Sequence, residues 1–363
     1  MIRNASGTWR ARVQTADGGR VSVGSFTTRT EAERAFAAAV GEQAKGTFVS
    51  PRSGRLLFKD YAADWLAHRP GLRPRTFELY ESQIRVHLVP AFGKCPLAAI
   101  TAPVVRRWYS SMQKADKPGP VTVAKVYRLL RTILGTAVED DLIVKNPCTI
   151  KGAGAEQSPE RPVARVEQVA EIADVIDSCY RALVLLATYG TLRFGELFGL
   201  QRRDVDLAAR TVSVERQTTH LADGRLVIGP PKSEAGRRVV SLPSSLIAEL
   251  DRHLAAHVGP EPEAWVFRSP TGVVPRKSNW SVYWRRVTAS VGIEGLHFHD
   301  LRHTGNTLAA STGASTKELM SRMGHASTRA ATLDQHATRE RDDAIAAGLD
   351  ALIAARSART SAS

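Results

Sequence analysis

No stretch of this sequence approaches the roughly 18–20 consecutive apolar residues that a helix needs to cross a membrane, and its first residues lack the apolar run of a signal peptide. Cysteine is equally scarce, with Cys95, Cys148 and Cys179 far apart in a chain of 363 residues. Their odd number and wide spacing match neither a disulfide framework nor a zinc-binding pattern. These absences predict a chain in a reducing compartment, the cytoplasm, with no membrane partner.

Acidic residues are too few to balance the basic ones. Asp and Glu total 36 against 50 Lys and Arg, which gives a formal net charge of +14 and a pI near 10.1. This excess favours a polyanionic partner, usually nucleic acid, although net charge alone also fits a basic protein without one. The hydrophobic share of 43% is enough for a core in each of the two or three domains that the length predicts.

The first 48 residues have the pattern of a small separate module. Ala11 and Val13 alternate with Arg10 and Arg12, which predicts a half-buried strand with a basic outer face. A glycine turn, a return strand and an alanine-rich helical stripe follow. The pattern therefore predicts a small β-sheet with one helix, whose two arginines are candidates for DNA contact.

Residues 55–150 have apolar positions at helical spacing throughout, which predicts an all-helical domain. Basic residues lie beside the apolar stripes, and Arg75, Arg85, Lys125 and Arg128 are the candidates for contact with DNA phosphates. The spacing alone fits a solvated basic face equally well.

Residues 163–345 have a mixed α/β pattern that is mainly helical, and residues 346–363 form a C-terminal tail. Residues 355–363 are rich in Ser, Ala and Arg, which predicts disorder. An apolar face with Ile345, Leu349 and Leu352 at the start of this tail could dock on a neighbouring protomer or pack on its own domain. The predicted strands are residues 211–214, 225–228 and 239–242, and the later predicted helices are residues 280–291, 300–311, 316–323 and 344–354.

Two isolated basic residues are candidates for chemistry. Arg193 lies in T-L-R-F-G-E-L between a glycine and the start of a helix, where a cleft can hold it. It could equally form a surface ion pair with Glu196 or Asp204. Lys232 lies in P-P-K-S between two predicted strands, at an expected hairpin tip. Such a lysine is usually solvated, but it can also reach a phosphate or a leaving group.

Histidines form the remaining candidates. In H-D-L-R-H, His299, Arg302 and His303 share one helical face, which is unusual for a core position. Two histidines at this spacing also fit a zinc site, but Arg302 would place a fixed cation beside the metal. His325 in M-G-H, taken alone, is more typical of a packed or capping residue than of a catalyst.

Taken in order, these segments resemble the Arg, Lys, His-x-x-Arg and Gly-His boxes of the tyrosine recombinase (phage integrase) family. Residues 74–93, with P-R-T and H-L-V-P-A-F-G, are similar to the helical core-binding domain of this family. Residues 1–45 resemble its small three-stranded arm-site-binding domain. The resemblance implies an arm-binding module of three strands and a helix over residues 1–48, an all-α core-binding domain over 55–150, and a mixed α/β catalytic domain over 163–345.

The resemblance also implies the reaction. The family integrates or excises phage and mobile-element DNA at attachment sites, as four protomers on double-stranded DNA in the bacterial cytoplasm, at the nucleoid. Accessory DNA-bending and directionality proteins are further expected partners. Cleavage without a metal or nucleotide cofactor needs fixed cations on the phosphate oxygens, which Arg193 and Arg302 can supply. Lys232 would protonate the leaving 5′-oxygen, and His299 and His325 would hydrogen-bond the phosphate or transfer protons.

One position departs from the family pattern. The nucleophilic tyrosine belongs nine residues after His325 and two before another histidine, and that position holds Asp334, with His336 following. The last tyrosine of the chain is Tyr283. A carboxylate is shorter, repels the phosphodiester, and would form a labile acyl phosphate. We therefore predict that the chain binds attachment-site DNA but forms little covalent intermediate.

Asp334 is compatible with two histories, an engineered or sporadic change in an integrase and a degenerate copy that only binds DNA. Three other functions fit parts of the same pattern. A non-catalytic DNA-binding protein is favoured by Asp334 and disfavoured by the otherwise intact set of candidate residues. A type IB topoisomerase shares the chemistry but lacks an arm-binding module, and a zinc hydrolase is the remaining alternative.

Overall fold

The computed structural model describes residues 2–3, 7–14, 19–44, 48, 53–156, 162–324 and 339–360. In the last of these segments, side chains are described for residues 342–353 only. The chain divides into two compact units, Met1–Pro159 and Glu160–Ser363. None of the helices within these described segments is long and apolar enough to span a bilayer.

The first unit begins with a three-stranded antiparallel sheet in the order β1 (Ile2–Arg3), β2 (Trp9–Gln14) and β3 (Arg20–Phe26), followed by helix α1 (Arg29–Ala44). Ala11 and Val13 are buried, whereas Arg12 is exposed and Arg10 is half-buried. The period of two along β2 thus puts apolar side chains under α1 and arginines on the other face. The predicted sheet with one helix is confirmed.

The rest of this unit is helical, around an aromatic core. The ring of Phe92 lies 5.9 Å from that of Phe58 and 5.2 Å from that of Trp108, both edge to face. Pro74 and Pro120 begin two of the helices. Proline is favoured there because the first N–H groups of a helix have no partner within it, so the missing N–H costs nothing. The helices are α2 (Phe58–Ala67), α3 (Pro74–Gln83), which continues through a π-helical segment (Ile84–Leu88) into α4 (Val89–Phe92), α5 (Ala102–Lys114) and α6 (Pro120–Glu139).

The second unit packs helices around two small sheets, with one apolar core that includes Leu183, Phe198, Trp284 and Leu301. One sheet is antiparallel in the order β4-β5-β8, and the other is the hairpin β6-β7. The strands are β4 (Val205–Asp206), β5 (Thr211–Val214), β6 (Gln217–His220), β7 (Leu226–Gly229) and β8 (Arg238–Ser241). The helices are α7 (Val166–Val175), α8 (Ser178–Tyr189), α9 (Phe194–Leu197), α10 (Ser244–His257), α11 (Lys277–Ser290), α12 (Phe298–Ser311), α13 (Thr316–Met323) and α14 (Arg339–Thr360).

The prediction that Lys232 lies at a hairpin tip is wrong. The strands on either side of it, β7 and β8, belong to different sheets, because β7 pairs with β6 and β8 pairs with β5. The hairpin turn instead includes Gly224, whose φ of 93° is a conformation that glycine adopts readily. Lys232 lies in the longer connection between the two sheets.

Helices α8 and α12 come close together at Gly305. A Cβ at this position would lie 1.8 Å from the carbonyl oxygen of Thr188 in α8, so only glycine permits the approach. Arg302 lies one helical turn before Gly305, and Thr191 lies just beyond the end of α8. The close approach of the two backbones therefore brings Arg302 to the loop that follows α8.

Helix α14 packs on its own unit. Ile345 and Leu349 are buried in the core, and the helix runs across the predicted domain boundary after residue 345 as far as Thr360. The predicted disorder of the tail from residue 355 is therefore wrong as far as Thr360, because the helix continues through it. Two residues of the predicted apolar face thus pack within the chain, whereas Leu352, the third, is 36% exposed. The domain boundaries themselves remain predictions.

Asp350 of α14 supplies the cap that α10 lacks. The residue before α10 is Pro243, which has no polar side chain, and the carboxylate of Asp350 accepts hydrogen bonds from the amides of Ser244 at 2.7 Å and Ser245 at 3.1 Å. Burial raises the pKa of Asp350, but these amides outweigh it and hold the pKa below its usual value.

We predict that Asp350→Ala lowers the free energy of unfolding by about 1 kcal/mol at pH 7, as for other lost caps. Because the folded pKa lies below the unfolded one, the stabilisation is present above about pH 4 and is lost as the pH falls through the folded pKa. Denaturant unfolding at pH 7 and pH 3 measures this. Asp343→Ala, an exposed change on the same helix, is the control, and an equal loss in both variants would contradict the prediction.

Candidate active site around Glu196

Glu196, in the short helix α9, is a buried carboxylate that faces three arginines. Its side chain is 1% exposed. It accepts hydrogen bonds from the guanidinium of Arg193 at 2.6 Å and from that of Arg238 at 3.0 Å, and Nη1 of Arg302 lies 4.0 Å away. Burial raises the pKa of Glu196, but Arg238 and then Arg193 outweigh it and hold the pKa below its usual value. Glu196 is therefore an anion at neutral pH.

Arg302 is 2% exposed and is held by carbonyl groups. Its guanidinium donates to the backbone oxygens of Thr191 and Met323. Burial, together with the positive charges of Arg193 and Arg238, lowers the pKa of Arg302 to about 9. The group still carries its proton at pH 7, and its orientation is fixed from two sides.

Thr191 has a strained backbone at this site. Its φ of 53° lies in the left-handed region, which is rare for a β-branched residue. The residue is fully buried, and its Oγ1 has no hydrogen-bond partner among the described residues. Such strain persists only where the surrounding structure imposes it. With this backbone conformation, the carbonyl of Thr191 points at the guanidinium of Arg302.

The C-terminus of α13 lies among the same arginines. Three consecutive carbonyls, those of Arg322, Met323 and Gly324, each accept a hydrogen bond from a different guanidinium. The donors are Nε of Arg238 at 2.7 Å, Nη2 of Arg302, and Nη2 of Arg193 at 3.0 Å. The last carbonyls of a helix have no partner within it, and cations are favoured beside them.

The candidate residues from the sequence fall into three groups. Arg193 and Arg302 are brought together at Glu196, with Arg193 half-buried. Lys232 and His299 are exposed, the first in the connection between β7 and β8 and the second in the first turn of α12. His325 and Asp334 lie outside the described residues, which stop at Gly324 and resume at residue 339.

Sequence reasoning missed the roles of two residues, Glu196 and Arg238. The sequence indicates Glu196 only as a surface partner of Arg193, whereas the structure buries it. Its position three residues after Arg193, at the start of a helix, was a usable signal. Arg238 follows the exposed Arg237, and nothing in the local pattern separates the two.

The candidate DNA-contact residues on α3 and the segment after it form exposed ion pairs. Arg75 pairs with Glu78 at 2.9 Å, and Arg85 pairs with Glu81 at 2.9 Å. Pairs of this kind contribute little stability, so a phosphate can replace the carboxylate at small cost.

Lys125 and Arg128 of α6 share a different partner. Glu156, in the segment after the helical part of this unit, lies 3.6 Å from Lys125 and also pairs with Arg128. The guanidinium of Arg128 donates to the carbonyl of Gly154 as well, at 3.0 Å. The chain thus places a carboxylate on two cations that were predicted to bind DNA.

A metal centre is not evident in the described parts of the chain, where no group of three or more His, Cys, Asp or Glu could hold an ion. His299 and His303 differ in exposure, the first exposed and the second half-buried.

Comparison with known proteins places these features in a family. The profile of the Phage integrase family matches residues 163–340, and that of the Phage integrase, N-terminal SAM-like domain matches residues 57–113. The "Putative prophage phiRv2 integrase" of Mycobacterium tuberculosis is 36% identical over 359 residues, covering 96% of this chain and 93% of that protein. The integrase of Mycobacterium phage D29 is 33% identical over 293 residues, covering 79% and 76%.

Solved structures share the fold. The Tn1549 transposon integrase in complex with transposon right end DNA has a TM-score of 0.66 at 20% identity, covering 80% of this chain and 98% of that one. A lambda integrase tetramer bound to a Holliday junction has a TM-score of 0.57 at 17% identity, covering 92% and 97%. The predicted fold class of a small three-stranded sheet, a helical domain and a mainly helical α/β domain is confirmed. The chain belongs to the tyrosine recombinase family, as a member of the phage integrases.

Proposed function

We propose that this chain is the scaffold of a site-specific recombinase that binds attachment sites in double-stranded DNA and holds the scissile phosphate with Arg193 and Arg302. The observation that carries the proposal is the convergence of both arginines on Glu196. One carboxylate faces three guanidinium groups there, an arrangement that favours an added anion. Two planar donor forks at one point can stabilise the negative charge that develops on phosphate oxygens.

The other candidates are assigned by their place in the family pattern. Lys232, in an exposed connection, protonates the 5′-oxygen as the bond from phosphorus to that oxygen breaks. His299, exposed on α12, and His325 hydrogen-bond the phosphate. In the family, a tyrosine nucleophile conserves the bond energy in a 3′-phosphotyrosyl link, so rejoining needs no nucleotide. Fixed cations on the phosphate oxygens take the place of a metal in cleavage.

The proposed domains are those of the sequence prediction. Residues 1–48 bind arm sites through Arg10 and Arg12, residues 55–150 bind the core site, residues 163–345 carry the reaction, and residues 346–363 form the C-terminal segment. The dimer and tetramer named in the lambda integrase structures support assembly on DNA as a homotetramer. Bacterial cytoplasm, at the nucleoid, is the proposed location, and DNA-bending and directionality proteins are proposed accessory partners.

Asp334 favours a second candidate function, that of an integrase-like protein that occupies attachment sites without cutting them. The carboxylate repels the phosphodiester that it would attack, and an acyl phosphate would be hydrolysed before strand rejoining. The chain as it stands is proposed to bind DNA and to cleave poorly.

We predict that Asp334→Tyr becomes covalently linked to DNA and that the unmodified chain does not. The DNA duplex is first selected by binding to the chain, from fragments that span the junctions between the mobile element and host DNA. A nick near the cleavage position then traps the covalent adduct, which is detected on a denaturing gel. Asp334→Phe, which removes the charge and adds a ring without a hydroxyl, is the control and should bind without linking.

The outcomes separate the candidates. Linkage of the unmodified chain would refute the proposed effect of Asp334. Specific binding without linkage by Asp334→Tyr would favour the DNA-binding function. Relaxation of plasmids that lack the selected site would instead indicate a topoisomerase.

The pairing of Glu156 with Lys125 and Arg128 generates another prediction. If these cations contact phosphates, Glu156 competes with DNA for them, and Arg128 and Lys125 hold the pKa of Glu156 below its usual value, so that it remains charged. Glu156→Gln should therefore bind the selected duplex roughly two- to fivefold more tightly at low salt, since an exposed pair of this kind is weak.

The measurement is a titration of labelled duplex at two salt concentrations, because the gain should shrink as salt screens the charges. Glu139→Gln, an exposed change of the same charge on α6, is the control. Equal gains in both variants would mean that only net charge matters and that Lys125 and Arg128 have no special part.

A further inference from the structure

Arg238 has three donors on three different parts of the second unit. Nε donates to the carbonyl of Arg322 at the end of α13 at 2.7 Å, and Nη1 donates to the carbonyl of Gly236 at 3.0 Å. Nη2 donates to the carboxylate of Glu196 at 3.0 Å. The side chain is 6% exposed, whereas the adjacent Arg237 is exposed to solvent.

The contacts of Arg238 differ in kind from those of Arg193 and Arg302. Arg193 and Arg302 match the family's phosphate-binding positions, whereas Arg238 is assigned no contact with DNA and its hydrogen bonds go to protein acceptors. It touches instead the two groups that orient the other arginines, Glu196 and the end of α13. Arg193 and Arg302 donate to the next two carbonyls of that same helix end, those of Gly324 and Met323.

We propose that Arg238 is a positioning residue of the phosphate-binding site. It pairs with one oxygen of Glu196 and fixes the C-terminus of α13. Because Arg193 and Arg302 contact the same two groups, Arg238 sets the orientation of their guanidinium groups. This inference rests on the proposed function, since it names a residue that supports the same site.

Two physical reasons make the arrangement sensitive to Arg238. A planar guanidinium holds its donors in one rigid arrangement that matches these three acceptors, whereas an ammonium is a compact charge whose donors rotate. Gly324 has a φ of 60°, and a Cβ there would lie 2.7 Å from the carbonyl of Ala235, so the helix end is held against the segment that carries Arg238. Loss of the guanidinium leaves this close approach without its hydrogen bonds.

The first test uses the chain as it stands and needs no DNA. Amide hydrogen exchange is measured in Arg238→Gln and in the matched control Arg237→Gln. The amide of Gly324 donates to the carbonyl of Ser321 at 2.9 Å, so residues 321–324 report on the helix end. We expect exchange there about tenfold faster in Arg238→Gln than in the control. Equal exchange would overturn the proposal.

The second test measures linkage to DNA at saturating duplex in the Asp334→Tyr background. Arg238→Gln should slow linkage by about 100-fold, the loss that a misplacement of about 1 Å causes, while duplex affinity stays within about twofold. The assay runs well below the melting temperature of each variant. A rate equal to that of Arg237→Gln in the same background would overturn the proposal, whatever the melting temperatures.

The pH profile separates positioning from a general loss of structure. Without Arg238, burial of Glu196 is opposed by one cation fewer, so the pKa of Glu196 rises. The linkage rate of Arg238→Gln should then fall further as the pH is lowered through that raised pKa, and the parent rate should not. Arg238→Lys restores a charge without the fork, so it should restore the parent pH profile while remaining slow. A profile for Arg238→Gln parallel to that of the parent would refute the link through Glu196.

Failure of the proposed function is recognised separately. If Asp334→Tyr forms no adduct, recombinase chemistry is refuted for this scaffold, and the exchange measurement alone decides whether Arg238 fixes the helix end. Faster exchange in residues 321–324 supports its positioning role, and unchanged exchange overturns it.

Discussion

Three guanidinium groups that repel one another meet at the carboxylate of Glu196, and the geometry of the site depends on that ion pairing. Removing one partner of a buried ion pair leaves an uncompensated charge and typically costs about 3–5 kcal/mol. Burial and the neighbouring arginines already lower the pKa of Arg302, which shows how strongly the surroundings oppose its charge. Glu196 and the carbonyls of Thr191 and Met323 are what hold it in place.

The backbone is arranged to supply those carbonyls. Gly305 lets α12 approach α8 closely enough for Arg302 to reach the loop after α8, and the left-handed conformation of Thr191 turns its carbonyl toward that guanidinium. A residue in this conformation costs of order 1–3 kcal/mol, which the surrounding packing must offset. A helix end provides further acceptors through Met323, because the last carbonyls of α13 have no partner within the helix.

The sequence predicted the helices and strands more accurately than the contacts between them. Alternation along β2 and the helical stripe of α6 are local patterns, and both elements form as predicted. The pairing of β8 with β5 is not local, so Lys232 was wrongly placed at a hairpin tip. The hydrogen bond from Arg193 to the carbonyl of Gly324, 131 positions along the chain, is also non-local. Only the family resemblance, which assigns Arg193 and His325 to one site, indicated that these two segments meet. Neither a local pattern nor the family resemblance indicated Arg238, because its burial depends on tertiary packing alone.

This distinction bears on what Asp334 means. The buried members of the site, Arg302, Arg238 and Glu196, hold one another in place, so losing any one destabilises the fold whether or not the protein cleaves DNA. Their presence supports a phosphate-binding site, but it does not separate a recombinase that cleaves from a protein that only binds DNA at the same site. Exposed side chains are different, since surface substitutions usually change stability by less than about 0.5 kcal/mol. Lys232 and His299 are exposed, and a chain that only bound DNA could lose them at little cost to folding. Their presence in the family pattern is the stronger argument that Asp334 is an isolated change in a site otherwise equipped for cleavage.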